Sequence, residues 1–456
     1  MIPALALFAA AWIVYRAASQ SITLDEANTF LFWVNTPDAA HWSAHSNNHI
    51  LNSSLMRLAV FIAGPSHLAL RAPALLGGFL YIGASRQLAH RLATQHLSQV
   101  LLFACLVFNP FVMDYLVAAR GYGLAAAFFL LALVQLLKRD NATTRSAALI
   151  SACCALSFAA NFSTAYANAV LWLIAAWRFT NQTRSVRILI PLAIPGAAIT
   201  IALCGHALIH YDKSQLIWGA DSLSKMLVEM RDSTFQHLNP HLINPLLFSP
   251  FALISKIIPW LVLAAIAEAT FRKREFEFKL LAALLLIPLA CHWLQFQFFG
   301  VLLPDERTSL LFVVLLILVI GTLSHTRFAT LALGLSALYF GGTLRHNYFR
   351  EWTINSDIRQ TFPILESESR RLHTREIVSD LNYTPSLNVY RLLNNSSVFD
   401  KVANHDRPIS GKSIYVLPAD QCLEFTQQER LTLRYRSPLS DYSIWLREPS
   451  ANALLR

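Results

Sequence analysis

Long apolar runs separated by short polar connections fill the first three quarters of the chain. Runs near residues 2–19, 68–88, 97–117, 121–137, 146–161, 163–178, 187–206, 250–271, 279–299, 308–323 and 327–344 are each close to the ~20 residues that an α-helix needs to cross a bilayer. This pattern predicts a polytopic α-helical membrane protein with about eleven transmembrane helices over residues 1–344. The loop at 20–67 contains a different pattern. Ile50, Leu51, Leu55, Leu58, Ala59, Phe61 and Ile62 recur at helical spacing, and Asn52, Ser53, Ser54 and Arg57 fill the other side. That predicts an amphipathic helix lying in the membrane interface, with chain breaks at Pro37 and Gly64-Pro65. The loop at 207–249 mixes polar residues with Trp218, Met226 and Phe235. It predicts one or two short helices, in a segment long enough to be a lid or a passive connector. Beyond residue 345 charges become frequent and apolar runs stop. There Ser413–Leu417, Leu431–Tyr435 and Tyr442–Leu446 predict strands, and Ile358–Leu372 predicts a helix. Residues 345–456 thus read as a small soluble α/β domain.

Composition sharpens this reading. Of 456 residues, 55% are hydrophobic and only 14% are charged, against about 25% charged in soluble proteins. The net charge of +10 raises the question of nucleic acid. Its basic residues, however, sit in alternate loops: Arg86 and Arg91; Lys138, Arg139 and Arg145; Arg178, Arg184 and Arg187; Arg272, Lys273, Arg274 and Lys279; Arg327. That is the signature of cytoplasmic loops. It places the amino terminus inside and the tail outside, and no basic-aromatic surface suggests a nucleic-acid partner. The first run lacks a charged leading region, with Arg16 falling late, so it reads as an uncleaved span rather than a signal peptide. Cys105, Cys153, Cys154, Cys204 and Cys291 lie in or beside apolar runs, and only Cys422 lies in the tail, which leaves it no partner there.

The remaining loops share the extracytoplasmic face, and the unusual polar clusters all fall on it. Asp25-Glu26 follows the first span directly. Carboxylates are costly in hydrocarbon and cheap at its wet border. Asp25 could there take a proton from an attacking hydroxyl, with Glu26 orienting the acceptor or helping to hold a divalent metal ion. The plainer reading is that acids at a helix start favour its N-terminus. Arg120-Gly121-Tyr122 opens a span, where a guanidinium calls for an anion such as a phosphate, either a substrate's or that of ordinary membrane lipid. Arg307, in Asp305-Glu306-Arg307, repeats that logic or pairs with its acidic neighbours. Asn47-Asn48-His49 offers donors, acceptors and a candidate metal ligand in His49, although a lone histidine is more often a plain hydrogen-bonding residue. No HExxH motif or P-loop is present.

In this order the motifs resemble the GT-C superfamily of integral membrane glycosyltransferases, in the bacterial group related to protein mannosyltransferases and aminoarabinose transferases. The resemblance rests on Asp25-Glu26, Asn47-Asn48-His49-Ile50-Leu51-Asn52, Leu70-Arg71-Ala72-Pro73, Ala119-Arg120-Gly121-Tyr122-Gly123 and Asp305-Glu306-Arg307-Thr308. In the tail, Asn347–Trp352 and Leu387–Arg391 add to it. The resemblance implies sugar transfer, with inversion, from a polyprenyl-phosphate donor to a glycan, lipid or protein acceptor outside the cytoplasm, at the bacterial inner membrane. Asp25 would be the base, with Glu26 beside it. Arg120, Tyr122 and Arg307 would hold the donor phosphate, Asn47, Asn48 and His49 would serve the acceptor or its loop, and Glu26 and His49 would be candidates for a divalent metal. A transporter or flippase of lipid-linked sugars would instead need polar residues deep in several spans, whereas 121–137, 308–323 and 327–344 are apolar through their middles. A non-enzymatic scaffold for the tail leaves the one-sided clustering of acids and arginines unexplained.

Overall fold

The computed structural model describes residues 1–36, 39–138, 142–216, 218–235, 246, 248–270, 276–405, 408–418 and 422–447. The expected break at Pro37, the basic residues Arg139, Arg272, Lys273 and Arg274, and much of the end of loop 207–249 lie outside the described residues. The chain divides into two compact units. The first comprises Met1–Tyr15, His41–Leu55 and Arg71–Arg345, and the second Arg16–Ala40, Met56–Leu70 and His346–Arg456. The tail therefore groups with parts of the first loop.

Helices follow the apolar runs closely: α1 (Ile2–Ser19), α2 (Leu24–Thr29), α3 (Ile50–Ala63), α4 (His67–Leu92), α5 (His96–Val107), α6 (Pro110–Tyr115), α7 (Tyr122–Leu137), α8 (Thr144–Ala160), α9 (Ala165–Thr183), α10 (Leu189–Ile209), α11 (Leu223–Thr234), α12 (Phe248–Thr270), α13 (Phe276–Phe299), α14 (Leu310–Thr322) and α15 (Arg327–Gly342). Among the described residues, five helical segments are long and apolar enough to cross a membrane: Ile2–Ser19, His67–Leu92, Val186–Ile209, Pro250–Glu268 and Phe276–Phe299. Shorter apolar helices, including α5, α7 and α8, accompany them. This is an integral membrane protein. Ile190, Ile194, Ile201 and Ile209 on α10 are all exposed, as expected of a helix side turned to hydrocarbon. By contrast α14 is apolar on every side and almost wholly buried, the pattern of a helix surrounded by protein.

One expected span needs correction. The run 97–117 is two helices, because Pro110 opens α6 and the Asn109 side chain accepts a hydrogen bond from Phe111 N at 3.0 Å. A proline lacks the N–H that would continue α5, and its ring clashes with the preceding turn.

Small residues allow close packing in the first unit. A Cβ on Gly196 of α10 would come within 2.7 Å of Ser151 Oγ on α8, whose hydroxyl instead accepts from Gly196 N at 2.8 Å. The same unit contains a buried ion pair, Arg345 Nη2 to Asp114 Oδ2 at 2.7 Å, with both side chains at 5% exposure or less. Breaking a buried ion pair by removing one partner costs about 3–5 kcal/mol. Arg345→Met should therefore lower the thermal stability of the solubilised protein sharply, and Asp114→Leu/Arg345→Met together should restore most of it. An equal loss in both variants would show that the pair is not the source.

In the second unit the tail forms α16 (Ile358–Arg371), β1 (Ile377–Asp380), α17 (Thr384–Leu393), β2 (Asn404–His405), β3 (Ile414–Pro418), α18 (Leu423–Gln428), β4 (Thr432–Arg436) and β5 (Tyr442–Leu446). The sheet order is β2-β1-β3-β5-β4. β1 runs parallel to β2 and β3, with Val378 opposite Tyr415. β5 runs antiparallel to β3 and β4, with Val416 opposite Ile444. Phe362, Leu365, Leu387 and Val389 from the helices and Ile414, Val416 and Ile444 from the sheet are buried. The fully buried Tyr383 donates its hydroxyl to Asp357 Oδ1 at 3.1 Å, and Thr361 donates to Asp357 Oδ2 at 3.0 Å. Burial pushes the Asp357 carboxyl above its ordinary range, and hydrogen bonds from Ser440, Ser437, Thr361 and Tyr383 offset part of that.

Candidate functional site

In the first unit the chain turns after α6 and enters α7 through Gly121, whose φ of 75° is left-handed. Only glycine fits there easily, since a Cβ would come within 2.3 Å of the Ala160 carbonyl oxygen and 3.0 Å of His49 Cβ. Asn52, buried on α3, donates to the Ala119 carbonyl at 2.9 Å and pins the turn. The turn thereby fixes Arg120, which is fully buried. Its guanidinium donates to both the backbone carbonyl and the side-chain oxygen of Asn47.

His49 occupies the same place. Its ring meets Tyr122 edge-on at 5.0 Å, and Tyr122 lies 5.0 Å from Tyr115. Burial, then the charge of Arg120, then that of Arg307, hold the His49 imidazole well below the usual histidine range, so the ring is neutral at pH 7. His49 is 7% exposed, and its Nε2 is buried without a hydrogen-bond partner. The structure thus brings together Asn47, His49, Arg120 and Tyr122, with Arg307 within electrostatic reach.

Arg307 lies on the 3₁₀ turn Glu306–Ser309 that leads into α14. Asp305 precedes that turn: its N–H donates to Thr308 Oγ1 at 2.8 Å, and the Thr308 hydroxyl donates to the Asp305 carbonyl at 2.7 Å. Burial raises the Asp305 carboxyl above its ordinary range, as does the charge of Glu229, against the opposing pull of Lys225 and Arg307. Asn48 has a different task. Its Nδ2 donates to the His41 and Ser43 carbonyls at 3.0 Å each, and its Oδ1 accepts from Ser53 Oγ at 2.7 Å. Its amide closes the loop before α3. Elsewhere in this unit, α11, α12, α14 and α15 surround a groove of about 490 Å³ whose lining includes Leu227, Phe235, Val262, Ile317 and Phe340.

The acidic pair belongs to the second unit. Thr23 and Glu26 form a capping box on α2: Glu26 N donates to Thr23 Oγ1 at 3.2 Å, and Thr23 N donates to Glu26 Oε2 at 3.0 Å. Glu26 is fully buried and satisfies the helix start. Asp25 is one residue earlier, at 8% exposure. The tail holds the stretch from the end of α1 to the start of α2. Leu24 N donates to Asn355 Oδ1 at 2.7 Å, while Asn355 Nδ2 donates to the Asn382 carbonyl at 3.0 Å. Ser21 Oγ donates to the Ser356 carbonyl at 2.8 Å, and Arg359 Nη1 donates to the Ala18 and Ser19 carbonyls at 2.8 Å each. Asn355 and Arg359 carried no signal in the sequence, because their partners lie more than 300 positions away.

Among the described residues, no three His, Cys, Asp or Glu side chains gather in a way that could hold a metal ion.

These features define an integral membrane protein with a buried arginine–histidine cluster in one unit and a clamped acidic helix in the other. No protein-family model matches the chain, and no curated protein matches it. Two solved structures are similar to it. ArnT from Cupriavidus metallidurans in the apo state is 11% identical with a TM-score of 0.38, covering 97% of this chain and 96% of that one. ArnT from the same organism bound to undecaprenyl phosphate is 13% identical with a TM-score of 0.45, covering 98% of each chain.

Proposed function

We propose that the chain is a GT-C-type inverting glycosyltransferase of the bacterial inner membrane, moving a sugar from a polyprenyl-phosphate donor to an acceptor on the extracytoplasmic face. The observation that supports it most is His49 Nε2: a buried, unpartnered nitrogen on a neutral ring that feels two guanidiniums. A neutral imidazole can donate one hydrogen bond, and two arginines beside it favour an anion. A phosphate oxygen meets both requirements.

The roles follow. Asp25 accepts the proton of the acceptor hydroxyl as its oxygen forms a bond to the anomeric carbon. The bond from that carbon to the phosphate oxygen breaks, and its electron pair leaves on the polyprenyl phosphate. Arg120 and Arg307 meet the charge that grows there, with His49 donating through Nε2; such stabilisation acts on the transition state more than on the bound donor. A single displacement inverts the anomeric carbon. The groove between α11, α12, α14 and α15 takes the isoprenoid chain, as its apolar lining suits. Glu26 supports Asp25 by fixing the helix start.

Reconstituted protein supplied with radiolabelled polyprenyl-phosphate sugar tests this reading. Label should pass to envelope material from cells lacking the protein, and free polyprenyl phosphate should accumulate only when that material is present. Passage of labelled donor across the bilayer with no acceptor added would favour a flippase instead.

A further inference from the structure

The second unit contains a cavity of about 680 Å³, within the usual ~300–1,000 Å³ of small-molecule sites. Asn28, Phe32 and Asn35 form one wall, and Arg391, Lys401 and Asn404 contribute to the other. Asp25, Asn28, Phe32 and Asn35 recur at steps of three and four, so the wall continues the helical stripe that begins with the acid. Phe32 leaves 58% of its surface exposed, an aromatic face available to a ligand. Arg391 is half-buried, and its Nε is buried with no partner. Asp400, the acid within electrostatic reach of Arg391, is engaged by Arg375 at 2.7 Å. The opposite wall is firm, because Asn388 exchanges two hydrogen bonds of 2.9 Å with the backbone of Val402.

Amide side chains, an exposed ring and two cations form a combination suited to a sugar that carries negative charge. Amides match paired hydroxyls, the ring covers the apolar face of a pyranose, and the cations meet a phosphate or carboxylate. We propose that this cavity binds an anionic saccharide, the head of the acceptor. The acceptor role rests on the transferase function proposed above; the saccharide site does not.

Binding of glucose 1-phosphate, methyl glucoside and inorganic phosphate to the full-length solubilised protein tests it, by ligand-observed NMR titration. Glucose 1-phosphate should bind more tightly than either of the others. Arg391→Gln should weaken it about tenfold or more, as loss of a hydrogen bond to a charged group does. The exposed Lys401→Gln should weaken it about threefold with the melting temperature unchanged, which guards against misfolding of the first variant. Phe32→Ala should also weaken it. Equal affinity for inorganic phosphate and the sugar phosphate would overturn the saccharide assignment. Equal affinity for the glucoside, unchanged binding in both charge variants, or no binding of any probe would overturn the site. If binding behaves as expected but no sugar transfer is found, the cavity stands and the acceptor role falls.

Discussion

Asp25→Asn should reduce sugar transfer by about 10²–10⁴-fold, the usual contribution of a positioned base, while expression, membrane insertion and melting temperature stay close to those of the parent. The separation of activity from folding follows from the cap geometry. Thr23 and Glu26 satisfy each other at the start of α2, and the tail reaches that helix through the backbone N–H of Leu24. An amide at position 25 disturbs none of these bonds. Glu26→Gln is the informative companion: its amide oxygen can still accept from Thr23 N, so it should lose far less activity. Transfer at the parental rate in Asp25→Asn would remove Asp25 as the base. A matching loss in both variants would mean that helix geometry, not proton transfer, is what the pair supplies.

The second large effect is expected at Arg120. Hydrogen bonds to charged groups contribute about 1.5–3 kcal/mol, so Arg120→Ala should raise the apparent KM for the lipid donor by about ten- to a hundredfold. Because charge grows on the departing phosphate, kcat should fall as well. Arg120→Lys retains the charge but cannot reproduce the forked contact with the carbonyl and side chain of Asn47, and should fall between the two. Arg120 also holds that loop in place, so folding needs its own readout. A lowered melting temperature with both donor KM and kcat unchanged would make it a structural residue only.

Much of the helical framework was legible in the sequence. The run 2–19 is α1 to the residue, and 121–137 and 327–344 differ from α7 and α15 by a residue or two at their ends. Apolar length alone sets such helices. The amphipathic stretch 50–63 is a helix as expected, with Phe61 and Ile62 exposed and Asn52 and Ser53 buried, because those polar groups found partners in the neighbouring turn and loop. Strands β3, β4 and β5 were legible from β-branched and aromatic runs. β1 and α17 were not: at four and ten residues they are short, and they depend on the sheet and on α2 for burial. The Asp114–Arg345 pair was equally invisible, since Asp114 sat inside an apolar run and its partner lies 231 positions on. As candidates, the sequence singled out the arginines, His49 and the acids. It could not indicate that Asn47 would hold Arg120, that Asn48 would be spent on its own loop, or that Glu26 would serve as a cap.

The first loop alternates between the two units: Arg16–Ala40 in the second, His41–Leu55 in the first, Met56–Leu70 in the second again. The tail therefore cannot be cut away at a single linker as an ordinary appended domain could. A protease or a stop codon near residue 345 would remove the partners of Ser21, Leu24 and the end of α1, and the segment bearing the acids would lose the framework that orders it. During synthesis Leu24 and Ser21 emerge 331 and 335 positions ahead of Asn355 and Ser356, so the acidic helix reaches its final setting only after those residues have left the ribosome.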